Sequence, residues 1–135
     1  MTARAPSLFC LAIGAGDAAT GLLLVAAPAL VLRLLGLGAP PGADLVFVRF
    51  VGVFVASVGL SYLYPWLAGR AGRAPRLRTA IEITAGVRLA VALFLAIAVL
   101  AGALDLPWSA VGAYDALVAS LQLGLLLRGF FGDAA

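Results

Sequence analysis

Apolar residues run along the chain in four long blocks, separated by short breaks rich in glycine, proline or charge. Each block is long enough to cross a bilayer, which takes about 20 mostly apolar residues. The pattern predicts spans at about 7–35, 46–68, 79–104 and 107–127. Pro28 is expected to kink the first span near its far end, and GLGAPPGAD (36–44) forms the first loop. The second span ends in Tyr62, Tyr64, Pro65 and Trp66, with amphipathic aromatics that suit the headgroup level. GRAGRAPRLR (69–78) reads as a basic loop, and Asp105-Leu106-Pro107 as a hairpin that makes the last two spans antiparallel neighbours. The expected fold is an all-α integral membrane four-helix bundle of antiparallel up-down topology, with residues 1–135 as a single transmembrane domain.

Composition agrees with this reading. Hydrophobic residues make up 64% of the 135 positions and charged residues 11%, outside the balance of soluble domains. All nine basic residues are arginine, and histidine, the commonest metal ligand and general base, is missing. The single cysteine, Cys10, has no intramolecular disulfide partner. Neither a metal site nor a cofactor is expected. The net charge of +3 does not indicate nucleic acid, because the arginines stand beside the apolar blocks and act as topology signals. The 69–78 loop is therefore placed in the cytoplasm, Arg4 and Arg128 with it, and both termini on the cytoplasmic side of a bacterial inner membrane. Arg33 and Arg49 fall on the other side, together with Asp44 and Asp105. The first block is expected to be retained as a span, since Asp17 interrupts it too early for a signal peptide and Phe9 is too bulky to precede a lipidated cysteine.

Ionisable groups inside a span are costly and face the bundle interior, so their heights are informative. Counted from the cytoplasmic ends at the helical rise, Asp17 lies roughly 15 Å deep, Ser57 roughly 16 Å, Arg88 roughly 13 Å and Asp115 roughly 18 Å. These four residues form an expected intramembrane polar cluster, with Arg88 in ion-pairing reach of Asp17 or Asp115. Cys10, Gly14, Asp17 and Gly21 share one helical face, as do Trp108, Asp115 and Gln122. Glu82 is expected to form an interfacial ion pair with Arg78 and Arg128. Lipid offers no hydrophobic drive between helices, so small residues should mark the contacts. Gly112, Ala116, Ser120 and Gly124 form one such ridge at four-residue spacing, and Gly52 and Ala56 repeat it in the second span.

The stretches GLLLVAAPALVLRLLGL (21–37) and RFVGVFVASVGLSYL (49–63) resemble the small bacterial DoxX-like four-helix membrane proteins. That resemblance implies an accessory role beside oxidoreductase assemblies and carries no catalytic residues. The four short helices and the acid in the first, Asp17, are also similar to small multidrug-resistance transporters, although Arg88 departs from that pattern. Two classes of function follow. The first is a non-catalytic accessory or scaffold subunit that meets the lipid bilayer and other membrane subunits or copies of itself. The alternative is a transporter or binder of a small hydrophobic or cationic molecule that uses the Asp/Arg cluster. A membrane enzyme ranks below both, because no nucleophile and base stand out as a pair.

Overall fold

The structure, a computed structural model, describes residues 4–38, 44–67 and 72–130. All the regular secondary structure among them is helical: α1 (Arg4–Ala26), α2 (Pro28–Leu34), α3 (Asp44–Leu67), α4 (Arg73–Leu100) and α5 (Trp108–Leu127). Four of these, all but α2, are long and apolar enough to cross a membrane. Their exposed surfaces carry Leu22, Leu23, Phe47, Phe50, Phe54, Leu93, Phe94, Ile97 and Leu117, while Asp17, Thr84, Arg88 and Gln122 are buried. In water that distribution would be inverted; in lipid it leaves hydrocarbon outside and polar groups within.

The helix ends differ from the expected spans where proline or glycine acts. At Pro28 the first span breaks outright. Proline disfavours the α region in the residue before it, and Ala27 sits at φ −137°, ψ 59°. The Ala27 amide still donates to the Leu23 carbonyl at 2.7 Å, closing α1, and the Ala27 carbonyl accepts from Leu30 and Val31 as the short α2 begins. The third span starts at Arg73 and not at residue 79, because Pro75 falls in the first turn, where a missing amide leaves no helical bond unmade. The basic segment is thus partly helical. Its residues 69–71 lie outside the described part, as do 39–43 of the first loop. The same helix ends at Leu100, four residues early, on Gly102 at φ +70°. The Ala103 amide reaches back to Ala98 O at 2.9 Å and the Gly102 amide to Val99 O at 3.0 Å, the paired bonds of a Schellman cap. At 28 residues, about 42 Å, α4 exceeds the hydrocarbon thickness, so its arginine-bearing first turns extend past it.

The chain divides into two compact units, Met1–Arg73 and Ala74–Ala135. In the first, α1 packs on α3 through glycine and alanine. A Cβ on Gly14 would lie 2.5 Å from Tyr62 Cβ and 2.9 Å from the Gly59 carbonyl oxygen. One on Gly21 would overlap the Ala56 backbone nitrogen and lie 2.6 Å from the Gly52 carbonyl oxygen. Gly52 and Gly59 face the Gly21 and Gly14 carbonyls in return, at 2.8 and 2.7 Å. Partners on α3 fall in number as those on α1 rise, so the two helices run in opposite directions. The backbones approach because side chains are missing, and close van der Waals contact takes the place of a hydrophobic drive. Tyr62, near the end of the second span, is fully buried with its Cβ against Gly14, while Tyr64 is exposed.

In the second unit, α5 pairs with α4, again in reversed register: Gly112 faces Leu95, Asp115 faces Arg88 and Gln122 faces Thr84. The buried positions of α5 include Gly112, Ala119 and Gln122, with Asp115 beside them at the edge. Steps of three and four residues keep these on one helical face.

Candidate functional site

Helix α4 places Leu77, Ile81, Thr84, Ala85, Arg88 and Leu95 on its buried face, and two of these are polar one turn apart. Helix α5 offers Asp115 and Gln122, two turns apart on its own inner face. Opposed, the two helices match a polar pair with a polar pair. The guanidinium Nη1 of Arg88 donates to Asp115 Oδ1, with side-chain exposures of 5% and 15% that leave the ion pair largely dry. The Arg88 guanidinium also lies 5.6 Å from the centre of the Tyr114 ring, within cation–π range. Farther along, Gln122 Nε2 donates to Thr84 Oγ1 at 3.2 Å, and the Thr84 hydroxyl donates to the Ala80 carbonyl at 2.7 Å. The hydroxyl thus serves as acceptor across the interface and as donor within its own helix.

Physically, this is a clasp. An arginine at mid-helix costs about 2.5 to 3.5 kcal/mol to insert, and a carboxylate at the same level offsets part of that cost by Coulomb attraction and a charged hydrogen bond. The guanidinium and carboxylate also fix how far α4 and α5 can slide, since a shift of one turn would separate the charges. Gln122→Leu, which keeps the side-chain volume and removes the bond to Thr84, is expected to lower stability in mixed micelles by about 0.6 kcal/mol, the average for interhelical bonds in membranes. A loss above about 2 kcal/mol would mean that Gln122 holds more than Thr84.

The other expected site residues fall as follows. Asp17 is buried on α1 in the first unit, on the face shared with Cys10, Gly14 and Gly21. Ser57 is exposed, and its hydroxyl donates to the Val53 carbonyl of its own helix at 2.8 Å. Arg78 Nε donates to Glu82 Oε1 at 2.8 Å, an exposed pair one turn apart, and Arg128 is exposed at the C-cap of α5. Along the ridge on α5, a Cβ on Gly112 would press on Leu95 Cβ at 3.3 Å, whereas one on Gly124 would meet nothing within 4 Å. Ala116 between them is half-buried, and Ser120 is exposed with its hydroxyl returned to the Ala116 carbonyl at 2.7 Å. The geometric reason is drift: each four-residue step turns about 40° past a full turn, so Gly112 and Gly124 end about 120° apart.

Two pairings did not stand out in the sequence. Gln122 is visible as a member of its helical face, and no sequence pattern pairs it with Thr84. Trp66 and Arg73 sit seven residues apart in sequence, near the end of α3 and at the start of α4, yet the Arg73 guanidinium lies over the Trp66 ring, 4.2 Å from its centre. Among the described residues no three metal-ligating side chains converge. Comparison with known proteins adds no constraint: no family model, curated protein or solved structure matches the chain.

Proposed function

We propose that this chain is a non-catalytic accessory or scaffold subunit of a bacterial inner-membrane complex, a DoxX-like antiparallel up-down four-helix bundle with both termini in the cytoplasm. The observation that carries the reading is the Arg88–Asp115 pair. Its charges are matched to each other inside the protein, which suits a role in specifying helix pairing better than one in holding a mobile ion. Small residues with open space outside support a docking role. Among the described residues, nothing outside the adjoining part of its own helix lies within 4 Å of a Cβ built on Gly16, Gly86 or Gly124, so another membrane helix can approach closely there.

The test is isolation of the tagged chain from its native membrane after cross-linking. A stoichiometric membrane partner, or a homo-oligomer of defined size, is the expected result. A monomer whose expression changes uptake or efflux of a hydrophobic cation would contradict the proposal and favour transport. Topology is checked separately: a periplasm-active reporter is expected to be silent when fused after Ala135 and active when fused after Ala103, and the opposite pattern would reverse the orientation.

A further inference from the structure

The end of α3 and the start of α4 hold two polar atoms with an uncommon status. Trp66 Nε1 and Arg73 Nε are both buried, and neither has a hydrogen-bond partner among the described residues. Both atoms are N–H donors and neither can accept, so they cannot satisfy each other. They belong to one stacked pair, with the guanidinium 4.2 Å above the indole. A buried donor without an acceptor costs about 1 to 3 kcal/mol, more when the donor is charged. Two such donors in one stacked pair describe a place built for an acceptor that the described residues do not supply.

The position indicates the kind of acceptor. Trp66 is the penultimate residue of the apolar span Leu45–Leu67, and Arg73 opens the span Arg73–Leu100. Both therefore stand where the hydrocarbon gives way to headgroups, the level at which tryptophan and arginine anchor. Arg76, exposed one turn along α4, and the exposed Tyr64 add charge and a hydroxyl at the same end of their helices. Anionic lipid is the abundant acceptor at this level, and basic segments beside a span attract it.

We propose that Trp66 and Arg73 form a binding site for the phosphate of an anionic phospholipid headgroup. Phosphate oxygens accept from Trp66 Nε1 and Arg73 Nε together, and the guanidinium charge is neutralised while its face stays on the indole. Both residues are only half-buried, so a phosphate reaches the donors by a side-chain shift, with no helix movement. This inference rests on the membrane reading of the spans and is independent of the accessory-subunit proposal.

The chain has two tryptophans, so Trp108→Phe leaves Trp66 as the sole reporter. The protein carrying that substitution is reconstituted in phosphatidylcholine nanodiscs with increasing phosphatidylglycerol, and Trp66 emission is followed. A saturable change is expected with phosphatidylglycerol, and none with inorganic phosphate added to pure phosphatidylcholine. Arg76→Gln, which removes a neighbouring exposed charge and leaves Trp66 and Arg73 in place, should weaken the apparent affinity about fivefold, and Arg73→Gln should weaken it further. Arg73→Lys keeps the charge but loses the Nε–H, and should also bind more weakly than the parent. Circular dichroism checks that each variant keeps its helices. The proposal is overturned if phosphatidylglycerol gives no change, if Arg73→Lys matches the parent, or if Arg73→Gln is no worse than Arg76→Gln. An equal response to inorganic phosphate would make it a soluble-anion site and overturn the lipid assignment.

Discussion

Replacing Arg88 with leucine should destabilise the protein by about 3 to 5 kcal/mol, the range for breaking a buried ion pair by removing one partner. Leucine suits the membrane better than arginine, so the loss would not come from the new side chain. It would come from Asp115, whose side chain is 15% exposed and would keep a carboxylate in a dry setting with its guanidinium partner gone. The carboxylate then either takes up a proton or draws in water, and both outcomes loosen the α4–α5 contact. Unfolding in mixed micelles measures the effect directly. A variant as stable as the parent would mean that the pair contributes nothing to holding the helices.

The second large effect is expected at Gly21. A methyl group there would overlap the Ala56 backbone nitrogen and sit 2.6 Å from both the Ala56 α-carbon and the Gly52 carbonyl oxygen. Backbone cannot move aside as a flexible side chain can, so α1 and α3 must separate along the contact. Gly21→Ala should cost about 1 to 3 kcal/mol, as overpacking does in well-packed cores, and Gly21→Leu more. Gly16→Ala on the same helix is the control: nothing lies within 4 Å of its Cβ, and a change within about 0.5 kcal/mol is expected. If the two alanine variants unfold alike, the α1–α3 contact is not the close one described.

These two sites also show how much of the molecule is legible in the sequence. The existence of the helices is written in the length of the apolar blocks, because lipid tolerates little else. Their ends are less legible, since Pro28 either kinks or breaks a helix according to what Ala27 does, and Pro75 either ends a loop or opens a helix. Arg88 and Asp115 were readable as partners because a charge at mid-membrane depth demands one. Ser57 was not readable by depth, since a serine hydroxyl can satisfy itself on the carbonyl four residues back, as it does on Val53. Gly52 and Ala56 marked a real contact, whereas Gly124 on the four-residue ridge faces open space. Spacing alone does not reveal which steps follow the 3.6-residue turn of the neighbouring helix. The stack of Trp66 on Arg73 needs the return of the chain into α4, and no local pattern encodes that.

A double-mutant cycle in mixed micelles tests whether Arg88 and Asp115 stabilise the membrane fold as a pair and not as separate charges. Arg88→Leu, Asp115→Asn and the combined variant are each unfolded beside the parent. Each single change is expected to be costly and the combined variant to recover most of the loss, because neither member of the Arg88–Asp115 pair is then left buried without the other. A combined variant whose loss equals the sum of the two single losses would contradict that expectation.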